Sequence, residues 1–502
     1  MTFDLFANGV DEVHKTFTSL TEAKAFFNNQ AIDLGTLGKG ALSGSPLTLK
    51  ATLSVTTASS GSGFYSGPIN GDPPAAAASS PAFILLSPSA FAATNTLATT
   101  TLTVGVGKEY AKPSQAIAAA PDGATILIDA GTYTDDFATI YGNNLTIRGV
   151  GGKAKIVQSS TGVIPNGKAI WTVDGNGDTI DNIEFSGAHV PDQNGAGIRA
   201  EQTGALTITH SYFHNNQDGL LGPNANTASI TITNSEFAFN GAGDGYSHNV
   251  YVGNAASLTF MYNYTHDAKV GHLLKSRASK NVIEYNRITG QNGTDSYEID
   301  LPNGGESYII GNIIEQGANT QNPAIVTYAE EGATNAVQKL YVINNTIVND
   351  RSAGGTFIAV SHSPFTKIMN NLFVGAGTTV SGATLGAGNV TTQNPAFVNR
   401  AGFDYHLTAA STAAINAGFD AGTANGMNLD PAKEYVQPLS STSRSVVGPA
   451  IDAGAYEYTG PSAGSFAHAM AAMGAHGTAL ATPVAATLSS APTLLAVRSH
   501  FA

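Results

Sequence analysis

Between residues 206 and 373 the chain repeats one eight-residue pattern, in which apolar and polar positions alternate and then meet a fixed polar residue. The copies are LTITHSYF (206–213), ITITNSEF (230–237), LTFMYNYT (258–265), NVIEYNRI (281–288), SYIIGNII (307–314), LYVINNTI (340–347) and TKIMNNLF (366–373). The sixth position is Ser211, Ser235, Asn263, Asn286, Asn312, Asn345 and Asn371, at spacings of 24, 28, 23, 26, 33 and 26. The eighth is almost always Phe or Ile. A period in the twenties fits one coil of a parallel β-helix with about three short strands, each coil stacked on the last at about 4.8 Å. The polar position then forms a column at a turn, where side-chain amides bond the coils above and below. The Phe/Ile position forms a column facing inward. A β-sandwich shares the short strands but does not hold an Asn column in register over seven copies.

The same reading divides the chain. Residues 1–70 read as a small α+β or β module, with helical spacing in TEAKAFFNN (21–29) and strand alternation in LTLKATLSVTT (47–57). Residues 71–100 are rich in Ala, Ser and Pro and read as a linker. The β-helix is expected over 101–458. It begins with strands at 102–106 and 125–129 and a short helix at 113–120 that caps the first turn. It ends in a last strand at 452–458, DAGAYEY. Residues 459–502 read as an Ala-rich flexible tail. The run PAFILLSPSAFAA (81–93) resembles the end of a signal peptide but lacks a basic flank, and reads as apolar linker. The first residues, MTFDLFANGVDEVHK, show no basic segment followed by an apolar core, so no N-terminal signal peptide is recognisable. No apolar run reaches the roughly 18 residues of a membrane span.

Composition narrows the function. The chain has 502 residues and a net charge of −13, which argues against nucleic acid as a partner. An anionic ligand would need a local basic pocket. With no cysteine there is neither a disulfide nor a thiolate metal site.

Against this sparsely charged background, residues 245–304 gather ionisable and aromatic side chains. Strands are expected at 248–252, 258–263, 271–277, 281–288 and 297–301. Alternation places Val250 and Val252 inside, and leaves Asn249 and Tyr251 outside. On the next coils it leaves Lys275 and Arg277, then Glu298 and Asp300, on the same outer face. His248 and His272 flank that face, and Tyr246 precedes it. Elimination across C4–C5 of a uronic acid needs a group to neutralise the carboxylate, a base for the C5 proton and an acid for the leaving O4. Arg277 suits the first task, because guanidinium meets carboxylate bidentately. Lys275 suits the second if a neighbouring cation lowers its pKa. Tyr251, His248 or Tyr246 suits the third. Asn249, His272, Tyr246, Glu298 and Asp300 are then the substrate contacts. The bland alternative is an ion-pair ladder on a solvated sheet, worth about 0–1 kcal/mol per pair. His248, His266 and His272 lie on different coils and lack helical zinc spacing. DGNGD (174–178) and GAGDG (241–245) imitate calcium loops but read as turns.

The Asn-ladder coils, and KSRASKNVIEYNRI (275–288) in particular, resemble right-handed parallel β-helix proteins of the pectate lyase superfamily, with local similarity to β-helical alginate lyases. The resemblance implies a right-handed parallel β-helix acting on an acidic polysaccharide, secreted or at the cell surface, with Lys275 at the position of the base. The family's arginine on the following coil does not carry over, because YEIDLPNG stands there. The resemblance also allows a Ca2+ ion, held by Asp244, Asp267, Glu298 and Asp300, to bridge a substrate carboxylate. Three functions stay open. One is a polysaccharide lyase acting by β-elimination. Another is a glycoside hydrolase using Glu298 and Asp300, which two residues apart on one strand would sit about 7 Å from each other, in the inverting range. The third is a non-catalytic glycan-binding surface protein.

Overall fold

The computed structural model describes residues 2–7, 10–16, 49–54 and 100–460. The chain separates into two compact units, Met1–Thr99 and Thr100–Ala502. In the first, Thr2–Ala7 pairs antiparallel with both Val10–Thr16 and Leu49–Ser54. Leu49–Ser54 lies inside the strand expected over 47–57. The expected helix at 21–29, the run at 81–93, the linker up to residue 99 and the tail from residue 461 lie outside the described residues.

The second unit is a right-handed parallel β-helix of about 11 turns. A representative turn comprises Lys280–Glu284, Arg287–Thr289 and Ile299–Leu301. Each strand pairs in parallel, in register, with its counterparts one turn before and after. The eight-residue repeats are therefore not single strands: each bends in the middle. The bend falls on a residue in the left-handed region, at His210, Asn234, Tyr262, Tyr285, Gly311, Asn344 and Asn370, with φ between 48° and 64°. Only one of these is glycine; His210, Tyr262 and Tyr285 cost roughly 1–2 kcal/mol each, and the three Asn, which tolerate this conformation, cost less. The ladder residue that follows offsets the cost. The backbone N–H of Asn286 donates to Asn312 Oδ1 at 2.9 Å, and that of Asn312 donates to Asn345 Oδ1 at 2.9 Å. The series runs from Ser211 through Ser235, Asn263, Asn286, Asn312, Asn345 and Asn371 to a further rung at Asn389.

Inside, the eighth-position column stacks as expected. Phe185, Phe213 and Phe237 lie ring on ring at 5.1 and 4.8 Å, with Trp171 edge-on to Phe185. Ile288, Ile314, Ile347 and Phe373 continue it, all fully buried. Thr265 interrupts the column because its hydroxyl is needed: it accepts from Asn249 Nδ2 and donates to the Leu273 carbonyl.

The helix Pro113–Ala119 packs Ala116 and Ile117 into the first-turn end of the core. After the last parallel strand, Val390–Thr392, the chain returns along the outside in three short antiparallel pairs. Its Ala421 and Leu429 cover Tyr308, Ile310, Tyr341 and Ile343; its Tyr405, Leu407 and Tyr456 cover Ile313, Val348, Leu372 and Val374. The outer faces of these late turns are apolar because they have this cover. Residues 452–458, expected as a final strand, form none. Gly454 has φ 102°, and the Asp452 and Glu457 side chains close a loop around Arg444, whose Nε donates to Glu457 Oε2 at 3.1 Å.

Candidate functional site

The site lies on the third strand of successive turns, and register fixes what points outward. Arg199, Leu221, Tyr251, Lys275, Asp300 and Thr327 occupy one outward column. Beside it, Arg277 donates from Nε to the Tyr251 hydroxyl at 3.0 Å and from Nη1 to Asn303 Oδ1 at 2.6 Å. Its Nη2 reaches Glu331. Lys275 Nζ lies 3.1 Å from Asp300 Oδ2 and 3.0 Å from Glu331 Oε1. One carboxylate, that of Glu331, thus bridges both cations. Burial alone would raise its pKa; the hydrogen bonds from Arg277 and Lys275 outweigh burial and hold it below the ordinary value. For Arg277, burial pulls the pKa down, and its bonds to Glu331 and Tyr251 prevail and raise it.

His248 and His272 stack on each other at 4.6 Å, and His272 stacks on Tyr297 at 5.0 Å. The His272 backbone N–H donates to His248 Nδ1 at 2.9 Å, and the Tyr297 N–H donates to His272 Nδ1 at 3.2 Å. An amide donor requires a lone pair on each Nδ1, so both rings are neutral with the proton on Nε2. Burial pushes the His272 pKa down to about 4 and that of His248 well below its ordinary value. His272 Nε2 faces Asp300 Oδ2 at 3.5 Å.

An open groove of about 430 Å³ runs along this face, lined by Arg199, Tyr251, Arg277 and the amides of Asn224, Asn254 and Asn303. Lys275 lies outside that lining, its side chain only 11% exposed beneath Asp300 and Glu331.

Two residues expected on the outer face are inside. Asn249 is fully buried; its Oδ1 accepts from Asn240 Nδ2 at 2.9 Å, extending an inner ladder from Asn216. Glu298 is fully buried too, and its carboxyl meets that of Asp295. Burial, then the Asp295 charge, raises the Glu298 pKa well above the ordinary value, and burial raises that of Asp295 to about 6. The reason is local. Strict alternation holds only through the three-residue strands Val250–Val252 and Ile299–Leu301; just before each, the chain bends and two consecutive residues face inward. The Glu298–Asp300 pair therefore does not flank one external site, which removes the geometry on which the hydrolase reading rested. Tyr246 is 86% exposed and does not line the groove. The four carboxylates named for calcium do not converge. Asp267 Oδ2 binds His266 Nδ1 at 2.6 Å, Asp244 caps its own turn, Glu298 is internal, and Asp300 holds Lys275. Among the described residues no group of three or more His, Asp or Glu is placed to hold a metal ion.

Arg199 and Glu331 were missed in the sequence. The signal for Arg199 was available: AGIRA (196–200) carries the same alternation as the later coils and pairs with them in register. Glu331 carries no local signal, because it reaches the site from a loop more than fifty residues beyond Lys275.

The family model for NosD, described as a periplasmic copper-binding protein, matches residues 170–402. No curated protein matches. Among solved structures, the chain is similar to pectate lyase Pel9A at 17% identity over 71% of this chain and 97% of that one, with a TM-score of 0.49. It is also similar to the A-module of the Azotobacter vinelandii mannuronan C-5 epimerase AlgE6, at 14% identity over 55% and 93% and a TM-score of 0.29.

Proposed function

We propose that the protein is a polysaccharide lyase that binds a uronate-containing chain lengthwise in the groove and cleaves it by β-elimination. The observation that carries this reading is the Arg277 guanidinium, which donates to the Tyr251 hydroxyl of the adjacent turn and shares the Glu331 carboxylate with the Lys275 ammonium. A substrate carboxylate takes the place of Glu331 on Arg277, which lets charge developing at C5 delocalise. Removal of Glu331 also strips one of two carboxylates from Lys275, which releases its proton to water and, as the free amine, takes the proton from C5. The electron pair forms the C4–C5 double bond as the C4–O4 bond breaks. Tyr251 supplies the proton to O4: its oxygen already accepts from Arg277, so its own O–H is left to donate into the groove. Thr327 orients Asp300 by donating its hydroxyl to Oδ1 at 2.7 Å, and Asp300 holds Lys275. A secreted or periplasmic location agrees with this substrate and with the description of the matched family.

Copper, named for that family, does not fit these residues. Both imidazoles use Nδ1 to accept an amide hydrogen, so Nε2 carries a proton where a ligand needs a lone pair. Burial opposes protonation of His266, but bonds to Asp267 and Glu236 outweigh it and raise its pKa, which favours the non-ligating imidazolium.

The test is absorbance of the unsaturated product across a panel of acidic polysaccharides. Activity is expected on at least one, with losses of roughly 10²–10³-fold in Arg277→Ala and Tyr251→Phe. A reducing end without absorbance would overturn the lyase reading. Binding without any product would support the second reading, a glycan-binding protein, which the closed Lys275–Asp300–Glu331–Arg277 network favours.

A further inference from the structure

The groove has two cationic ends, and only one takes part in the chemistry above. Arg199 stands in the same outward column as Tyr251 and Lys275, two turns before the first and three before the second. Three strand steps place it about 14 Å along the axis from the reaction centre. The wall between them is a chain of aligned amides. Arg277 Nη1 donates to Asn303 Oδ1, Asn303 Nδ2 donates to Asn254 Oδ1 at 3.0 Å, and Asn254 Nδ2 donates to Asn224 Oδ1 at 2.9 Å. The chain ends at the Nδ2 of Asn224, which meets no acceptor among the described residues and lines the groove together with Arg199. Each amide polarises the next, so this terminal donor is strengthened. Arg199 is engaged at Nε by Glu201, a half-exposed pair of the kind worth about 0–1 kcal/mol. Its remaining guanidinium N–H groups are donors that such a pair does not consume. In a chain of net charge −13, two arginines along one groove, joined by a run of amide donors, form a strip suited to repeated anionic and hydroxyl groups.

We infer that Arg199, with the Asn224 amide beside it, is a second carboxylate subsite, and that it makes the groove selective for uronate chains long enough to reach it from Arg277. This rests on the uronate reading of the groove. A 1,4-linked uronate chain advances by roughly one strand step, about 5 Å, per sugar. The two arginines therefore take carboxylates about three residues apart, and neutral sugars between them meet only amides.

The experiment compares binding of monomeric, dimeric and hexameric uronate, by calorimetry at low salt, to the full chain and to Arg199→Ala and Arg199→Lys. In the parent the hexamer is expected to bind far more tightly than the dimer. Arg199→Ala is expected to weaken the hexamer about tenfold, the loss of one charge-assisted contact, while the short ligands bind as before. Arg199→Lys restores part of the loss. An unchanged melting temperature in both variants excludes a folding defect. Hexamer binding unaffected by Arg199→Ala, or all lengths weakened alike, overturns this inference and leaves the uronate reading standing. No uronate binding by the parent at any length removes that reading and this subsite with it.

Discussion

Replacing Asn312 by alanine tests the ladder at its centre. The Asn312 side chain is fully buried and makes four hydrogen bonds. Oδ1 accepts from the backbone N–H and from Nδ2 of Asn286, both at 2.9 Å; Nδ2 donates to the Ile283 carbonyl at 2.8 Å and to Asn345 Oδ1 at 3.0 Å. The four do not count equally. Asn286 Nδ2 keeps the Phe260 carbonyl, and Asn345 Oδ1 keeps the backbone N–H of residue 312. The groups that lose a partner are the Asn286 N–H and the bond into the Ile283 carbonyl. At roughly 1–3 kcal/mol for each buried group so affected, the expected loss is about 4 kcal/mol. Asn389, the last rung, makes the same two acceptor bonds, to Asn371, but is partly exposed, so water replaces what alanine removes there. Asn389→Ala should cost only about 1 kcal/mol. Urea unfolding of both variants measures the difference. If Asn312→Ala loses no more than Asn389→Ala, the ladder is not what stabilises the bend, and the cost of the left-handed residue before it is met in some other way.

Glu331→Gln keeps the loop but removes the charge that occupies Arg277 and Lys275, so affinity for an acidic oligosaccharide should rise about tenfold; weaker binding would mean that Glu331 shapes the site and does not compete for it. Stability should fall as pH rises from about 5 to 8. Burial raises the folded-state pKa of Glu315 to about 8, of Asp218 and Glu284 to about 7, and of Asp178 and Asp295 to about 6, so the native state holds protons that the unfolded chain has already released. Glu315→Gln should therefore stabilise at pH 8, by several kcal/mol at about 1.4 kcal/mol per pH unit, and change little at pH 5. A melting temperature that climbs steadily over that range would contradict the assignment.

The solenoid was legible because two of its columns each demand one kind of residue. The ladder requires a short side chain that can accept an amide hydrogen, and the stack beside it requires bulk, so Asn and Phe/Ile recur in step with the coil. The bend between them was not legible. It needs a backbone conformation, not a side chain, and His210, Tyr285 and Asn344 all supply it. Tyr251, Lys275 and Asp300 fall in one column, as alternation within a strand implies, and Arg277 lies one residue past the strand Leu274–Ser276. Asn249 and Glu298 do not follow it, since one residue before the strand the bend cancels alternation and turns both neighbours in. Glu331 was invisible for a third reason: its loop is fixed by Asn335, whose Nδ2 donates to backbone carbonyls of Arg277, Ala278 and Gly304, contacts that no local pattern encodes.

A stack of turns touching only their neighbours should fray from its ends, each turn melting nearly on its own. The returning C-terminal segment changes that. Its contacts reach back to Asn344 from Asp452, to Tyr308 from Asn425, to Tyr285 from Ala432 and to Asn234 from Leu439. It thus spans turns that have no direct contact with one another, as a tie-rod runs along a column of plates. Early and late turns become mechanically coupled, so the column should give way at once instead of peeling. Because the rod follows the turns in chain order, the plates must first stand as a loose pile, held by their ladders alone, until it arrives and locks them.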